Sequence, residues 1–399
     1  MLDQPLSSAG EYLALVGGTI YASPRDEPIQ DGVVLILDGK IVAVGSRASV
    51  AVPQAARSLD CAGCVVVAGF WNSHVHFFER KWAKAVTIPA PELGRQLQDM
   101  LTRYGFTSVF DTGSMWENTR ALRDRIESGK VPGPRIRSTG EALLATGAVP
   151  SETVFNVMGL MTFPFPEIVG ASDAATASRT LLDDGVDGIK LHLQAPLPPN
   201  PPFPESAMAA AVREAHRSGR PVFVHPNTGA DVLAAVRAGA DVIAHTTPGS
   251  GPWDEATLEA MKEQRVGLTP TLTLWKTFLR HDRISAQEEA VGTAVGQLRA
   301  WIAAGGTVLF GTDLGAVDYD PSEEYVLMEQ AGMSFRQILA SLTVAPADRF
   351  GESERLGRVA VGLQADLVVL KDDPSGDIGA LAAAEYTLRA GKILYRRTD

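Results

Sequence analysis

The feature that most constrains the fold is an alternation of short apolar runs and amphipathic stretches that begins at Val65 and continues to Asp313. Short apolar runs predict buried strands, and the amphipathic stretches of roughly ten to fifteen residues between them predict helices. Repeated β-α-β units of this kind form a parallel sheet, so the sequence predicts an α/β protein. Eight such strands over about 285 residues favour a closed (β/α)8 TIM barrel over an open doubly wound sheet, and no G-x-G-x-x-G motif follows any of them.

The predicted strands and helices of this barrel can be placed on the chain. The strands cover residues 65–75, 107–111, 135–139, 188–193, 221–225, 241–245, 266–269 and 307–313. The helices between them include residues 205–218, 230–238, 254–264 and 286–304.

Both ends of the chain show a different pattern, in which short apolar runs are separated by turn-forming pairs such as Gly17-Gly18 and Asp38-Gly39. The tail that begins at Gly357 returns to the same β character. We therefore expect a small β-sandwich domain built from residues 1–66 and 352–399, with the barrel domain at residues 67–351.

Composition narrows the classes of function. The chain has 36 Lys and Arg against 47 Asp and Glu, a net charge of −11, which argues against nucleic acid because phosphate binding needs a basic surface. No apolar stretch of about 18 residues predicts a membrane span, and no signal peptide is visible. The two cysteines, Cys61 and Cys64, form a lone C-x-x-C, which is interpreted as structural. The sequence thus predicts a cytoplasmic protein that acts on a small molecule, with a homo-oligomer left open.

The histidines collect at one kind of position. Five of the seven lie at or near the carboxyl end of a predicted strand, the end that faces the active site of a barrel: His74, His76, His192, His225 and His245. In the His74-Val75-His76 tripeptide, the two imidazoles point to the same face of a strand and form half of a zinc site.

A lysine and an aspartate complete the pattern. Lys190 lies inside an apolar strand, where an unpaired ammonium is costly. Two interpretations are open: its amine pairs with a carboxylate or reaches solvent, or it stays neutral and reacts with CO2 to give a carbamate that bridges two metals. Asp313 ends the last apolar run and needs a cation or donors nearby.

Other residues are weaker candidates. His192 shares the face of Lys190 and is expected to line the barrel mouth, where it, Glu79 and Trp275 are candidate substrate contacts. The proline-rich stretch at residues 196–204 is expected to form a loop over the mouth. His216 and His281 lie in polar segments and are interpreted as solvated.

At this point the sequence resembles the amidohydrolase superfamily over nearly its whole length. The segments that carry the resemblance are residues 16–20, 38–45, 67–76 and 357–370, together with the ordered series H-x-H, Lys, His, His and Asp. Within the superfamily the chain is most similar to the two-metal members with a carboxylated lysine, the prolidase-like and imidazolonepropionase-related amidases. One departure is Asn72, where many members have aspartate.

The resemblance implies a role for each ligand. His74 and His76 would bind the more buried of two divalent metal ions, zinc being the expected metal, and His225 and His245 the more exposed one. Carboxylated Lys190 would bridge the two ions. Asp313 would be both a ligand and the proton carrier.

The resemblance also implies the reaction, the hydrolysis of an amide C–N bond by a metal-activated hydroxide. An N-acyl amino acid, an Xaa-Pro-type dipeptide or a related amide would be the substrate. Lactone, carbamate or phosphotriester hydrolysis on the same site is the alternative. A deaminase is less favoured, because Thr228 stands where such members carry glutamate, and a non-catalytic binding barrel is the third possibility.

Overall fold

The computed structural model describes residues 11–148, 165–193, 202–280 and 282–398. His281 and residues 196–201 of the predicted loop over the mouth lie outside this part of the chain. The described strands are β1 (Leu13–Ile20), β2 (Ile29–Leu37), β3 (Lys40–Ser46), β4 (Arg57–Asp60), β5 (Val65–Ala68), β6 (Phe70–Val75), β7 (Phe106–Asp111), β8 (Arg135–Ser138), β9 (Leu143–Ala145), β10 (Glu167–Ile168), β11 (Ile189–His192), β12 (Val222–His225), β13 (Val242–Ala244), β14 (Gly267–Thr269), β15 (Thr307–Val308), β16 (Leu367–Leu370), β17 (Ala384–Arg389) and β18 (Lys392–Arg396).

The described α-helices are α1 (Ala90–Met100), α2 (Trp116–Glu127), α3 (Ala171–Asp183), α4 (Glu205–Arg217), α5 (Gly229–Ala238), α6 (Glu255–Glu263), α7 (Thr273–Phe278), α8 (Ile284–Ala303), α9 (Ser322–Gln330), α10 (Phe335–Leu342) and α11 (Val344–Arg349). The four predicted helices correspond to α4, α5, α6 and α8. Side chains fix two of their starts, because Thr228 caps α5 and Asp254 caps α6. Within the described residues, no helix is both long and apolar enough to span a bilayer.

Strands from both ends of the chain form one hydrogen-bonded sheet, in the order β18-β17-β16-β5-β1-β2-β3, with β4 beside β1. The joint between the two ends is the antiparallel pair β5 and β16, in which Val66 lies opposite Val369. The prediction that the tail completes the N-terminal sheet is confirmed. Its closure into a two-layer sandwich stays a prediction.

The middle of the chain forms parallel strands in two groups, β6-β7-β8 and β10-β9-β11-β12-β13-β14-β15. Backbone hydrogen bonds join the groups on both sides. Ser73 N donates to Phe310 O over 2.7 Å, and Asp187 N donates to Ser138 O over 2.6 Å. The parallel α/β architecture is confirmed, and it brings the carboxyl ends of these strands to one side of the molecule.

Three local features differ from the sequence prediction. The predicted strand at 65–75 is divided at Gly69 into β5 and β6, because the two parts join different sheets: β5 pairs with β1 and β16, and β6 pairs with β7. The predicted strand at 307–313 ends at Val308, and farther along Asp313 adopts a φ of 65°. The short strands β9 and β10 were not predicted, since runs of two or three residues carry no periodic signal.

Candidate metal centre and its cavity

One cavity collects the polar side chains that end the parallel strands. All six predicted ligands line it, and so do His192 and Trp275. The described residues around it enclose about 960 Å³, counting the space at the open mouth. This is the range of pockets that bind small molecules. The structure therefore brings the six predicted ligands together from five different segments of the sequence.

His74, His76 and Asp313 form the tightest part of the cluster. His76 Nε2 lies 2.8 Å and His74 Nε2 3.3 Å from Asp313 Oδ1. A backbone bond holds this arrangement, since Asp313 N donates to His74 O over 2.9 Å. The carboxylate and two imidazoles thus face one another around a single point.

His245, which directly follows β13, extends this cluster. Its ring centroid lies 4.7 Å from that of His74 and 4.6 Å from that of His225. Single ligand atoms from His74, His245 and Asp313 all lie within 4.8 Å of one another, an arrangement that can hold a metal ion. The Nδ1 atom of His245 lies 2.6 Å from the Thr271 hydroxyl oxygen, which fixes the ring.

The backbone at these positions is unusual. His245, Thr271 and Asp313 have φ values of 78°, 44° and 65°, in the left-handed region that favours glycine. Such residues store strain of about 1–3 kcal/mol each, and they cluster at functional sites. The conformation turns the side chains toward the cavity at the point where β13 and the β15 segment end.

Lys190, His192 and His225 form the other side of the cluster. In the β11–β12 pair, His192 lies opposite His225, and their rings stack at 4.0 Å with an angle of 10° between the planes. Lys190 is 2% exposed, and Asp313 is the carboxylate whose charge acts on it. A lysine so placed does not reach solvent.

Several buried polar atoms in this cluster have no hydrogen-bond partner among the described residues. They are both ring nitrogens of His74, Nδ1 of His76, Oδ1 of Asp313 and the Thr112 hydroxyl. Buried polar atoms are nearly always satisfied, so a group of such atoms facing one space calls for a ligand. Neutral imidazole nitrogens and a carboxylate oxygen are donors that zinc accepts. The donor set therefore fits a metal.

Electrostatics hold the imidazoles in the form that binds metals. Burial, reinforced by the Lys190 charge, lowers the pKa of His74 and of His192 to about 3, and burial lowers the pKa of His225 and His245 well below the usual value. Burial alone lowers the pKa of Lys190 to about 7, although Asp313 opposes the shift. Burial would raise the pKa of Asp313, but the two nearby imidazoles bring it well below its ordinary value. His74, His192, His225 and His245 are therefore neutral and Asp313 is charged at neutral pH.

Asn72, the departure from the family pattern, acts behind the ligands. Its side-chain oxygen accepts hydrogen bonds from the backbone of His74 at 3.2 Å and of Thr312 at 3.3 Å. Its amide nitrogen donates to the Thr312 hydroxyl over 2.8 Å. Asn72 thus ties the first ligand strand to the segment that carries Asp313.

The remaining sequence candidates fall into two groups. Trp275 lines the cavity, and its indole nitrogen donates to the Thr246 hydroxyl over 2.8 Å. Glu79 is absent from the described residues that line the cavity, and its carboxylate accepts a hydrogen bond from Tyr319 at 2.6 Å instead. Its proposed contact with substrate has no support in this arrangement. His216 is half-exposed on α4, with its Nε2 atom 2.8 Å from Asp241, away from the cavity.

Two sets of residues were missed from the sequence. Thr271 lies just beyond β14, a polar residue at a strand end like the ligands themselves, so the same positional signal could have found it. An apolar wall formed by Ala142, Leu144 and Phe165 has no motif, because these residues come from the three-residue strand β9 and from positions outside regular elements.

A parallel α/β fold with a histidine and aspartate cluster at the carboxyl ends of its strands defines a class of metal-dependent hydrolases. The family model for the amidohydrolase family matches residues 65–395. The chain belongs to this family.

Similar proteins agree with this assignment. The ochratoxinase of Aspergillus niger is 27% identical, with 94% of this chain and 86% of that protein covered. A prolidase crystallised with N-methylphosphonate-L-proline is 27% identical, with a TM-score of 0.78 over 97% of this chain and 100% of that one. A Xaa-Pro dipeptidase with bound methionine shares the fold, with a TM-score of 0.82 at 23% identity over 97% of this chain and 100% of that one. The chain is therefore an enzyme, a hydrolase that acts on C–N bonds.

Proposed function

We propose that this protein is a metal-dependent amide hydrolase whose centre is built from His74, His76, Lys190, His225, His245 and Asp313. The observation that carries the proposal is the group of buried ring nitrogens and a carboxylate oxygen that face one space without partners among the described residues. The proposal includes a closed (β/α)8 barrel at residues 67–351. A β-sandwich from residues 1–66 and 352–399 flanks it.

The donor set suits two divalent cations, with zinc as the first choice. His74 and His76 would hold the more buried ion, and His225 and His245 the more exposed one. A carbamate on Lys190 would supply the anionic ligand between them, which would account for an amine buried among imidazoles. When bound, the metals polarise the scissile carbonyl and lower the pKa of water to about 7.

The protein's own residues supply the proton transfer and the enclosure. Asp313 accepts a proton from the attacking water and delivers it to the leaving nitrogen, which would otherwise depart as an unstable anion. Thr271 and Asn72 keep His245 and His74 in place through the hydrogen bonds described above. Phe78 stacks on His76 with ring centroids 4.7 Å apart and shields that ligand from solvent.

An amide C–N bond is the proposed target. The relatives named ochratoxinase and prolidase support this choice, because the match to each of them covers nearly all of this chain. A deaminase is disfavoured, since Thr228 lies outside the ligand cluster and its hydroxyl caps α5 by accepting from Asp231 N over 3.1 Å.

The test removes the metal and replaces single histidines. Dialysis against dipicolinate should lower hydrolysis of N-acyl aromatic amides to about 1% or less, and added zinc should restore it, because the metal supplies the electrophile. Bound metal is counted by mass spectrometry in parallel. Full activity in metal-free protein would contradict the proposal.

His74→Asn and His216→Asn form a matched pair, because only His74 lies in the cavity. The first should lose both metal and activity, and the second should retain both. Lys190→Ala should lose activity and recover part of it with added propionate, which replaces the bridging carbamate. Activity of Lys190→Ala without any added acid would contradict the bridging role of Lys190.

A further inference from the structure

We propose that the substrate is an uncharged amide with an aromatic or branched apolar group, and not an N-acyl amino acid or dipeptide with a free carboxylate. This inference rests on the proposed function and specifies its substrate class. Three observations carry it: the apolar walls of the cavity, the occupied polar atoms in those walls and the distribution of cations around them.

Two apolar walls flank the ligand cluster. The first is formed by Phe78, Leu274, Trp275 and Phe278, and the rings of Trp275 and Phe278 lie 6.5 Å apart at 41°. The second is the wall of Ala142, Leu144 and Phe165 described above, which packs as a separate cluster. Aromatic walls of this kind favour flat apolar groups of the substrate.

The polar atoms of these walls are already engaged. The indole nitrogen of Trp275 is taken by Thr246, so its ring offers only carbon to the cavity. Asn227, which also lines the cavity, uses one of its two amide N–H groups to donate to Leu193 O over 3.0 Å. Apart from the proposed ligands, the Thr112 hydroxyl is a buried lining group without a partner among the described residues. It suits a neutral carbonyl or N–H group of the substrate.

No arginine is found among the described residues that line the cavity, and its lysine is Lys190, which belongs to the proposed metal bridge. The chain at residues 149–164 and 194–201 contains no Lys or Arg in its sequence. A substrate carboxylate buried here would therefore lack a cation of its own, which is costly. In the proposed mechanism the metals would be engaged by the scissile carbonyl and the attacking water, and would not serve this carboxylate.

Two lysines on the segments beside the first wall pair with carboxylates. Lys81 lies 3.0 Å from Glu79, and Lys276 lies 2.6 Å from Glu323. Arg280 follows Phe278 by two residues but is exposed and absent from the described lining. The walls thus present an apolar surface next to the ligands.

The test compares two substrates that differ only in the carboxylate. N-(4-nitrobenzoyl)-L-phenylalanine and N-(4-nitrobenzoyl)phenethylamine are hydrolysed by the zinc-loaded full chain, and released 4-nitrobenzoate is measured by chromatography. We expect kcat/KM to be at least about tenfold higher for the uncharged amide, because the carboxylate would be buried without a partner. Equal or faster hydrolysis of the phenylalanine amide would overturn this inference alone. Hydrolysis of neither substrate would contradict the proposed function as well.

A charge placed on the first wall provides the second test. Phe278 is half-buried, so Phe278→Arg can be accommodated without filling the core. We expect Phe278→Arg to raise the ratio of carboxylate to uncharged turnover by about tenfold, because the guanidinium can pair with the carboxylate. Phe278→Leu, the control without charge, should leave the ratio unchanged. An unchanged ratio in Phe278→Arg, with circular dichroism showing a folded protein, would overturn the assignment of this wall to the substrate.

Discussion

Two buried aspartates at strand ends, Asp111 and Asp313, have opposite surroundings. The carboxylate of Asp111 accepts hydrogen bonds from the hydroxyls of Ser114, of Thr119 at 3.0 Å and of Ser138 at 2.7 Å. Asp313 Oδ1 faces two imidazole nitrogens and has no hydrogen bond to any described residue. Both side chains are buried, at 0% and 5% exposure, so burial does not distinguish them.

The difference shows how a structural carboxylate can be distinguished from a carboxylate that binds a metal. Every oxygen of Asp111 meets a hydroxyl donor, and through Ser114, which accepts from Phe77 N over 2.7 Å, it ties neighbouring strands together. Asp313 gains nothing of this kind from the fold. We infer that Asp111 stabilises the protein and that Asp313 serves the reaction.

The largest effect is expected at Asp313. Asp313→Asn should lower kcat/KM by about a thousandfold or more, because general acid–base groups contribute about 10²–10⁴-fold. The temperature of thermal unfolding should stay nearly the same or rise, since a buried charge is removed. A variant that unfolds at much lower temperature would show that Asp313 also supports the fold and would break the comparison.

Glu324 extends the comparison to a third buried carboxylate. It accepts hydrogen bonds from Leu272 N at 2.8 Å and Thr273 N at 2.9 Å, while burial raises its pKa to about 7. The folded state therefore holds the Glu324 proton more tightly than the unfolded state does. As pH rises from about 4.5 to about 7, the unfolded state loses this proton first, so the free energy of unfolding falls by at most about 3 kcal/mol.

Denaturant titrations at pH 5 and pH 8 measure this effect. The free energy of unfolding should decline between the two values in the natural protein, and the decline should be smaller in Glu324→Gln, whose amide does not titrate. An identical slope in both proteins would show that other groups set the pH dependence.

Asp111→Asn is the same substitution, made at the aspartate whose carboxylate accepts hydrogen bonds from three hydroxyls. One hydroxyl donor would then face an amide N–H, so we expect a loss of about 2 kcal/mol in the free energy of unfolding. The kcat/KM of the folded protein should change less than it does in Asp313→Asn. A loss of activity without a loss of stability would reverse the roles of the two aspartates.

The smallest effect is expected at Thr271. Thr271→Val removes the hydroxyl that lies 2.6 Å from His245 Nδ1, and partners of this kind are worth about 10–100-fold in metal affinity. We expect a reduction near tenfold, measured by competition with a zinc chelator. Thr271→Ser, which keeps the hydroxyl, should retain the affinity, and an equal loss in both variants would point to packing.

Much of the site could be predicted because strand ends are readable in the sequence. His225 and His245 each end an apolar run, so their convergence follows from the parallel fold alone. The position of Glu79 could not be read, because the H-x-H motif gives no information on the direction of the chain after it. The structure turns Glu79 toward Tyr319.

The same limit applies to backbone conformation. The apolar run at 307–313 has the composition of a strand, but the regular strand ends at Val308. The chain beyond it passes so close to His74 that a Cβ at Gly311 would lie 2.8 Å from the His74 Cβ. Such contacts depend on residues more than two hundred positions apart. The local sequence pattern therefore does not predict these contacts.

The left-handed backbone at His245 and Asp313 sets a trade-off for the evolution and engineering of this protein. Glycine adopts that conformation without steric cost, so replacing either residue by glycine would relieve about 1 kcal/mol or more of strain. A search guided by backbone strain alone would favour both changes, and each would remove one of the proposed ligands. Stabilising designs should therefore hold these two positions fixed and seek their gains elsewhere.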